Sequence, residues 1–162
     1  MSGLKASRRH SELYVVLDTC VLLRALGDVV PYTEVRERMA SKGDIVAVSK
    51  DILKEYRSKA KKEGMTPLIL QRKLQELENA GKLRNIPRSK VELVRIERKP
   101  NDPKDEKFLA VAAAIRARCI ISIDPHLLDL DPYECDRMQI RILRPEDYDF
   151  RPLCSHSLIS LL

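Results

Sequence analysis

The sequence predicts an α/β domain with a central parallel sheet of four to five strands and helices on both faces. Short apolar runs rich in Val, Ile and Leu alternate with longer stretches whose apolar residues recur at helical spacing, and this alternation is typical of parallel sheets. An acidic residue ends two of the apolar runs, at Asp18 and Asp124. We place the domain at 13–149, between a flexible basic tail at 1–12 and a C-terminal tail at 150–162 whose leucines would dock on the core or on a partner.

The composition is that of one globular domain with a basic surface. The chain has 162 residues, of which 44% are hydrophobic, and this is enough for a real core. Lys and Arg number 30 against 24 Asp and Glu, and the resulting net charge of +6 favours a polyanionic partner. The aromatic fraction is 4% with no Trp, which argues against recognition of bases by stacking.

The cysteines and the apolar segments bear on the cellular compartment. The cysteines lie far apart without zinc-finger spacing, so we expect reduced thiols at Cys20, Cys119, Cys135 and Cys154. No segment has the length and apolar character of a signal peptide core or of a membrane span. We therefore expect a cytoplasmic protein without membrane association.

In the first half of the chain, strands and helices are distinguished by the length and spacing of their apolar residues. The continuous apolar runs at 13–17 and 45–48 are too short for helices and predict buried strands. Helices are predicted where apolar residues recur every three or four positions, with glycines at their ends. Thr66-Pro67 is typical of an N-cap and first helical residue. The predicted helices are 21–26, 33–42, 49–63 and a fourth from 67 to Gly81.

The second half is organised around 101–124. Asp102-Pro103 predicts an N-cap followed by the first helical residue. The helix continues to Ile115, and its alanines would let it lie close to a sheet. The other elements predicted here are a loop at 85–90, a third strand at 91–96, a buried strand at 119–123, a turn or short helix at 125–130, a proline-marked loop and an edge-like strand at 139–143.

Four acids are expected at the edge formed by the carboxyl ends of the strands, where parallel sheets bind ligands. Each ends a strand or lies early in a helix: Asp18, Glu55, Asp105 and Asp124. Singly, each has an ordinary explanation as a turn residue, a helix cap or a solvated charge. Together they would repel, by roughly 4 kcal/mol for two charges about 4 Å apart at an effective dielectric near 20. Mg²⁺ or Mn²⁺ would remove this repulsion and could activate water against a phosphodiester.

Other catalytic motifs are missing from the sequence. It contains no G-x-G-x-x-G, no P-loop and no G-x-S-x-G, and its five glycines are few for cradling a dinucleotide. Asp18-Thr19-Cys20 lacks the second aspartate of a D-x-D phosphatase. His126 could contact metal or phosphate, although a histidine in a surface turn is the commoner case. The pattern favours phosphodiester hydrolysis over acyl transfer or redox chemistry.

The same residues resemble the PIN-domain nuclease family over roughly 14–148. The matching segments contain the four acids in order: VVLDTCVLL, SKDILKEY, NDPKDEKFLAVAAA and IISIDPHLL. The closing RILRPEDY is similar to the end of the subgroup of toxin components of toxin–antitoxin pairs. The resemblance implies a three-layer α/β/α fold, Mg²⁺- or Mn²⁺-dependent hydrolysis of RNA, a small antitoxin protein as partner and a homodimer.

The resemblance also implies roles for individual residues. Catalytic and metal-binding roles fall on Asp18, Glu55, Asp105 and Asp124. Ser122 would orient ligands or water, and Asp102 would be an additional acid beside the site. The sequence departs from the family at Cys20, where Asn or Ser is frequent, and at Pro125-His126, which replaces a frequently charged pair. These departures bear on substrate positioning and on the number of metal ions.

A basic helix begins beside Glu55 and is a candidate contact for the RNA backbone. Its RNA-binding candidates are Lys54, Arg57 and Lys59, for which a solvated helix face is the ordinary alternative. Two other functions remain open from the sequence. One is a catalytically inactive RNA-binding or assembly module with the same fold, and the other is an enzyme that acts on nucleotides or small phosphoesters.

Overall fold

A five-stranded parallel sheet forms the centre of the protein, in the order β3-β2-β1-β4-β5. The computed structural model describes residues 13–100 and 102–148, so the predicted tails at 1–12 and 150–162 lie outside the described residues. The strands are β1 (Tyr14–Leu17), β2 (Ile45–Val48), β3 (Leu83–Asn85), β4 (Cys119–Ile121) and β5 (Ile142–Leu143). Strands β2 and β3 lie on one side of β1, and β4 and β5 lie on the other, so the strand order reverses between β1 and β4. The predicted three-layer α/β/α class is confirmed.

Eight α-helices flank the sheet in the described part of the chain. They are α1 (Thr19–Leu26), α2 (Tyr32–Lys42), α3 (Lys50–Ala60), α4 (Pro67–Asn79), α5 (Arg88–Val91), α6 (Glu106–Ala114), α7 (Pro125–Leu128) and α8 (Pro132–Met138). A 3-10 turn, Pro103–Asp105, leads into α6. None of the helices at 13–100 and 102–148 is long and apolar enough to cross a membrane.

Local capping residues set the ends of the helices. The Ser49 side chain accepts from the backbone N–H of Ile52 at 3.2 Å and starts α3. Thr66 caps α4 in the same way, with Pro67 as the first helical residue. Gly43 ends α2 with φ of 72°, a left-handed conformation that glycine adopts without strain.

The core lies between the sheet and the helices. The inner strands are almost completely buried, and the small residues of α6 let this helix pack directly on β1 and β4. At the amino-terminal ends of the strands, the Tyr148 hydroxyl donates to the buried carboxylate of Asp44, which also pairs with Arg118. Arg38 of α2 donates to the Tyr148 carbonyl at 3.0 Å. These contacts fix the last described residue beside the start of β2.

The third strand was predicted in the wrong place. It lies at Leu83–Asn85, and 91–96 instead contains the end of α5 followed by a turn. In β3 only Leu83 is buried, and the strand pairs with β2 through its backbone, so the sequence shows almost no apolar alternation there. Leu93 is 83% exposed, so the apolar residues at 91–96 do not mark a buried strand.

The region after α7 also differs from the prediction. Helix α8 occupies the predicted proline-marked loop, because Asp131 caps it and Pro132 is its first residue. Gln139 ends α8 in a left-handed conformation with φ of 55°, so β5 is limited to Ile142–Leu143 rather than 139–143.

Candidate active site

Asp18 stands at the carboxyl end of β1, where the strand order reverses. Its backbone N–H continues the β1–β4 ladder by donating to the Ile121 carbonyl at 3.0 Å. One carboxylate oxygen accepts from the Thr19 N–H at 2.7 Å, so Asp18 is also the N-cap of α1. The side chain is nearly enclosed, and this burial raises the pKa of Asp18 above its ordinary value even though hydrogen bonds from Ser122 and Thr19 lower it.

Ser122 connects the ends of the two central strands. The parallel register places Leu17 beside Ile121, and hence Asp18 beside Ser122. The fully buried Ser122 hydroxyl donates to Asp18 Oδ2 at 2.7 Å and accepts from the Asp124 N–H at 2.9 Å. Asp124 is half-buried and caps α7 by accepting from the His126 N–H at 2.9 Å. Ser122 therefore fixes both the Asp18 carboxylate and the backbone that carries Asp124.

Asp105 is buried among other acids. The 3-10 turn that carries it begins at Asp102, whose side chain accepts from the Lys104 N–H at 2.9 Å, as predicted for an N-cap. Asp105 is 4% exposed, and its Oδ2 is buried without a hydrogen-bond donor. Burial, as the largest cause, raises its pKa to about 7 together with nearby negative charges, which belong to Asp124, Asp102, Asp18 and Glu55.

Glu55 approaches the same region from α3. The neighbouring Tyr56 is fully buried and donates its hydroxyl to the Leu17 carbonyl at 2.6 Å, which fastens α3 to the end of β1. The Glu55 carboxylate forms ion pairs with Lys59 at 3.0 Å and with Lys107 of α6 at 2.7 Å. The charge of Glu55 therefore acts on Asp18 and Asp105, but two lysines neutralise it.

The sequence of residues 14–126, which contains all four acids, matches the PIN domain family. The chain belongs to this family. PIN domain proteins are generally nucleases. No match to a curated protein sequence was found.

A solved structure supports the PIN fold. The chain is similar to one chain of VapBC2 from Rickettsia felis, in a crystal structure of VapBC2 bound to a DNA fragment from their promoter. The TM-score is 0.53 and the sequence identity 15%, over 82% of this chain and 98% of that chain. At this level of identity, the likeness concerns the fold.

The PIN domain acids suit a hard cation by their chemistry, although their side chains are not gathered around one point. Within 13–100 and 102–148, no three His, Cys, Asp or Glu side chains are arranged to hold a metal ion together. The Asp105 oxygen without a donor and the mutual repulsion of the acids are what a Mg²⁺ or Mn²⁺ ion would relieve. Each Asp18 oxygen accepts one hydrogen bond and keeps a second lone pair. The two Glu55 oxygens each lie beside a lysine, Oε1 3.0 Å from Lys59 and Oε2 2.7 Å from Lys107, although the contact at Oε2 is an ion pair without hydrogen-bond geometry.

The remaining predicted site residues lie around this edge of the PIN domain. Lys54, Arg57 and Lys59 are all exposed on α3, but only Lys54 and Lys59 line the cleft beside Glu55. His126 is exposed in α7, in agreement with the surface alternative. The Cys20 thiol lies 3.7 Å from Glu63 Oε1, and burial raises its pKa.

Sequence reasoning missed two residues at this edge. Lys107, two positions after Asp105, pairs with Glu55, and only its nearness to Asp105 in the sequence could have indicated it. Thr19 has a buried hydroxyl with no hydrogen-bond partner beside Asp18, and its place directly after that acid was the available signal.

Proposed function

We propose that this PIN domain protein is a Mg²⁺- or Mn²⁺-dependent ribonuclease that hydrolyses RNA phosphodiester bonds and acts as the toxin of a toxin–antitoxin pair. The observation that carries the proposal is the buried Asp105 oxygen without a donor, in the field of four further acids near the edge where the strand order reverses. The family, whose members are generally nucleases, supports the same reaction class.

The roles of the residues follow from their contacts. Asp18, Asp105 and Asp124 would hold the cation, with Glu55 joining them once its lysines move. A bound divalent cation would neutralise charge on the acids and the phosphate and make water a better nucleophile at neutral pH. Ser122 orients Asp18 and Asp124, and the buried setting of Asp18 and Asp105 excludes bulk water from two of the acids. Asp102 adds negative charge near Asp105.

The activity is tested with labelled RNA in Mg²⁺ or Mn²⁺. We expect cleavage by the wild type and a loss of at least about 100-fold for Asp18→Asn and Asp124→Asn, in the range found when one preorganised catalytic group is removed. Asp129→Asn is the matched control, since Asp129 is exposed just after α7. Equal cleavage by the wild type, Asp18→Asn and Asp124→Asn would exclude the assignment.

The inactive RNA-binding module remains a second candidate because lysines, rather than an open coordination position, surround Glu55. It predicts salt-dependent RNA binding that persists in Asp18→Asn and Asp124→Asn, with no turnover in either metal. An enzyme of small phosphoesters would instead hydrolyse mononucleotides and leave polymers intact.

The toxin role rests on the fold shared with a chain of VapBC2. We infer a cytoplasmic protein held inactive by a small antitoxin. Expression of the wild type should arrest growth, Asp124→Asn should not, and co-expression of a small neighbouring reading frame should restore growth. Growth arrest by Asp124→Asn equal to that by the wild type would separate toxicity from the proposed chemistry.

A further inference from the structure

A basic cleft lies beside the acids, between α3 and the turn that leads into α6. Its volume is about 460 Å³. Four lysines line it, against two acids, Asp51 and Glu55: Lys54, Lys59, Lys104 and Lys107. Lys104 and Lys107 flank Asp105 in sequence, so the basic cleft and the acidic group share one stretch of chain. A cleft with an excess of lysines next to carboxylates suits a phosphate group that must be held near a cation.

Two of these lysines, Lys59 and Lys107, form ion pairs with Glu55. Lys59 and Lys107 contact different oxygens of the Glu55 carboxylate, at 3.0 Å and 2.7 Å. The Lys59 side chain is 45% exposed and that of Lys107 20% exposed, while Glu55 is only 11% exposed. Both lysines therefore serve as counterions to an acid that has little access to water.

Glu55 thus has two competing kinds of counterion. Its charge acts on both Asp18 and Asp105, so it lies within electrostatic reach of the candidate cation site. As long as both lysines are bound to it, its oxygens are poor ligands for a divalent ion. Lysine is a compact charge on a flexible stem, so it can leave one anion for another a short distance away.

On the basis of the proposed function, we propose that the lysines of this cleft bind an RNA phosphate beside the candidate cation site, and that Lys59 and Lys107 exchange between Glu55 and that phosphate. RNA then draws the lysines away and frees Glu55 as an oxygen ligand. RNA and the divalent ion bind with positive coupling, and by linkage each strengthens the other equally.

Matched lysine substitutions test this exchange. Lys107→Met removes a charge that contacts Glu55, and Lys104→Met removes a charge that lines the same cleft without contacting Glu55. Lys82→Met is the control and removes an exposed charge just before β3. Binding of a short labelled RNA is measured in EDTA across a salt series, and Mn²⁺ binding is measured without RNA by electron paramagnetic resonance. Thermal unfolding verifies that each variant is folded.

The expected results differ for the three variants. Lys107→Met and Lys104→Met should both weaken RNA binding and reduce the salt slope by about 0.7 each, as for one lost phosphate contact to a single strand. Lys107→Met alone should strengthen Mn²⁺ binding, by about fivefold or more. Lys82→Met should change neither quantity.

The outcomes separate this inference from the ribonuclease assignment. Unchanged RNA affinity in both cleft variants would overturn the phosphate site, and equal Mn²⁺ affinities in Lys107→Met and Lys104→Met would overturn the exchange. Neither result would contradict the cleavage of RNA by the wild type. Absence of cleavage in any metal would remove the ribonuclease assignment, while binding of RNA and Mn²⁺ would still report on the lysines.

Discussion

The carboxylate oxygens of Asp105 and Asp18 differ in their hydrogen bonding. Asp105 has a buried oxygen without a hydrogen-bond donor, whereas both oxygens of Asp18 accept hydrogen bonds at 2.7 Å. An uncompensated buried carboxylate is unfavourable, and it persists in folded proteins mainly where function requires it. Asp105 is therefore a residue at which a cation would relieve an unfavourable buried charge.

Tyr56 provides a test of how α3 is held against β1. Tyr56→Phe removes only the hydroxyl that donates to the Leu17 carbonyl, so the buried acceptor loses this donor. We expect the free energy of unfolding to fall by about 1–3 kcal/mol, measured by urea denaturation. Tyr133→Phe is the control, since Tyr133 is 54% exposed, and it should change stability by less than about 0.5 kcal/mol. A similar loss in both variants would contradict this role for the hydroxyl.

Among the elements, α8 depends on an acid that the sequence did not single out. Glu134 is fully buried, pairs with Arg137, and accepts from the backbone N–H groups of Glu97 and Arg98, both at 3.2 Å. It thereby fixes the chain at 97–98, shortly before the turn that carries Asp105. The hydrogen bond from Arg137 lowers the pKa of Glu134 most, and the two backbone donors lower it further.

The lowered pKa of Glu134 predicts a pH-dependent contribution to stability. A carboxyl whose pKa is lower in the folded state stabilises the fold above its ordinary pKa, and this stabilisation is lost as the pH falls through the lowered value. Glu134→Gln should therefore be less stable than the wild type at pH 7, and the difference should shrink toward pH 3 in urea denaturation. Glu78→Gln, at an exposed position of α4, should show no such trend. A difference that is constant with pH would contradict the prediction.

The elements also show what sequence patterns can and cannot predict. Strands β1, β2 and β4 were predicted because their continuous apolar runs are buried on both faces of the sheet. Strand β3 was missed because an edge strand with one buried residue needs no apolar pattern. The capping residues Thr66 and Asp102 correctly placed the starts of α4 and of the turn that leads into α6, since a cap is a local interaction.

Over the whole molecule, the topology explains why the sequence alone groups the acids at one edge. Parallel strands end at one edge, so Asp18 and Asp124 had to come close once β1 and β4 were neighbours. The ion pair between Glu55 and Lys107 could not be predicted in this way. It depends on how α3 and α6 approach each other in space, and the two residues are far apart in the sequence.

Binding of a divalent cation to the folded protein should raise its free energy of unfolding. We expect Mn²⁺ at ten times its dissociation constant to stabilise the wild type by about 1.4 kcal/mol, measured by thermal unfolding with and without EDTA. Asp105→Asn should be more stable than the wild type in EDTA, because it removes an uncompensated buried charge, and should gain little from Mn²⁺. Equal stabilisation of both proteins by Mn²⁺ would show that the ion binds elsewhere.

The contacts of Tyr148 have a practical consequence for the design of assays. Its hydroxyl is held by Asp44 at the beginning of β2, while Asp18 follows the opposite end of the neighbouring strand. The polypeptide therefore leaves its last described position on the side of the sheet remote from the acids. Attaching the protein to a sensor surface on that remote side would leave the proposed nucleic-acid cleft facing the solution.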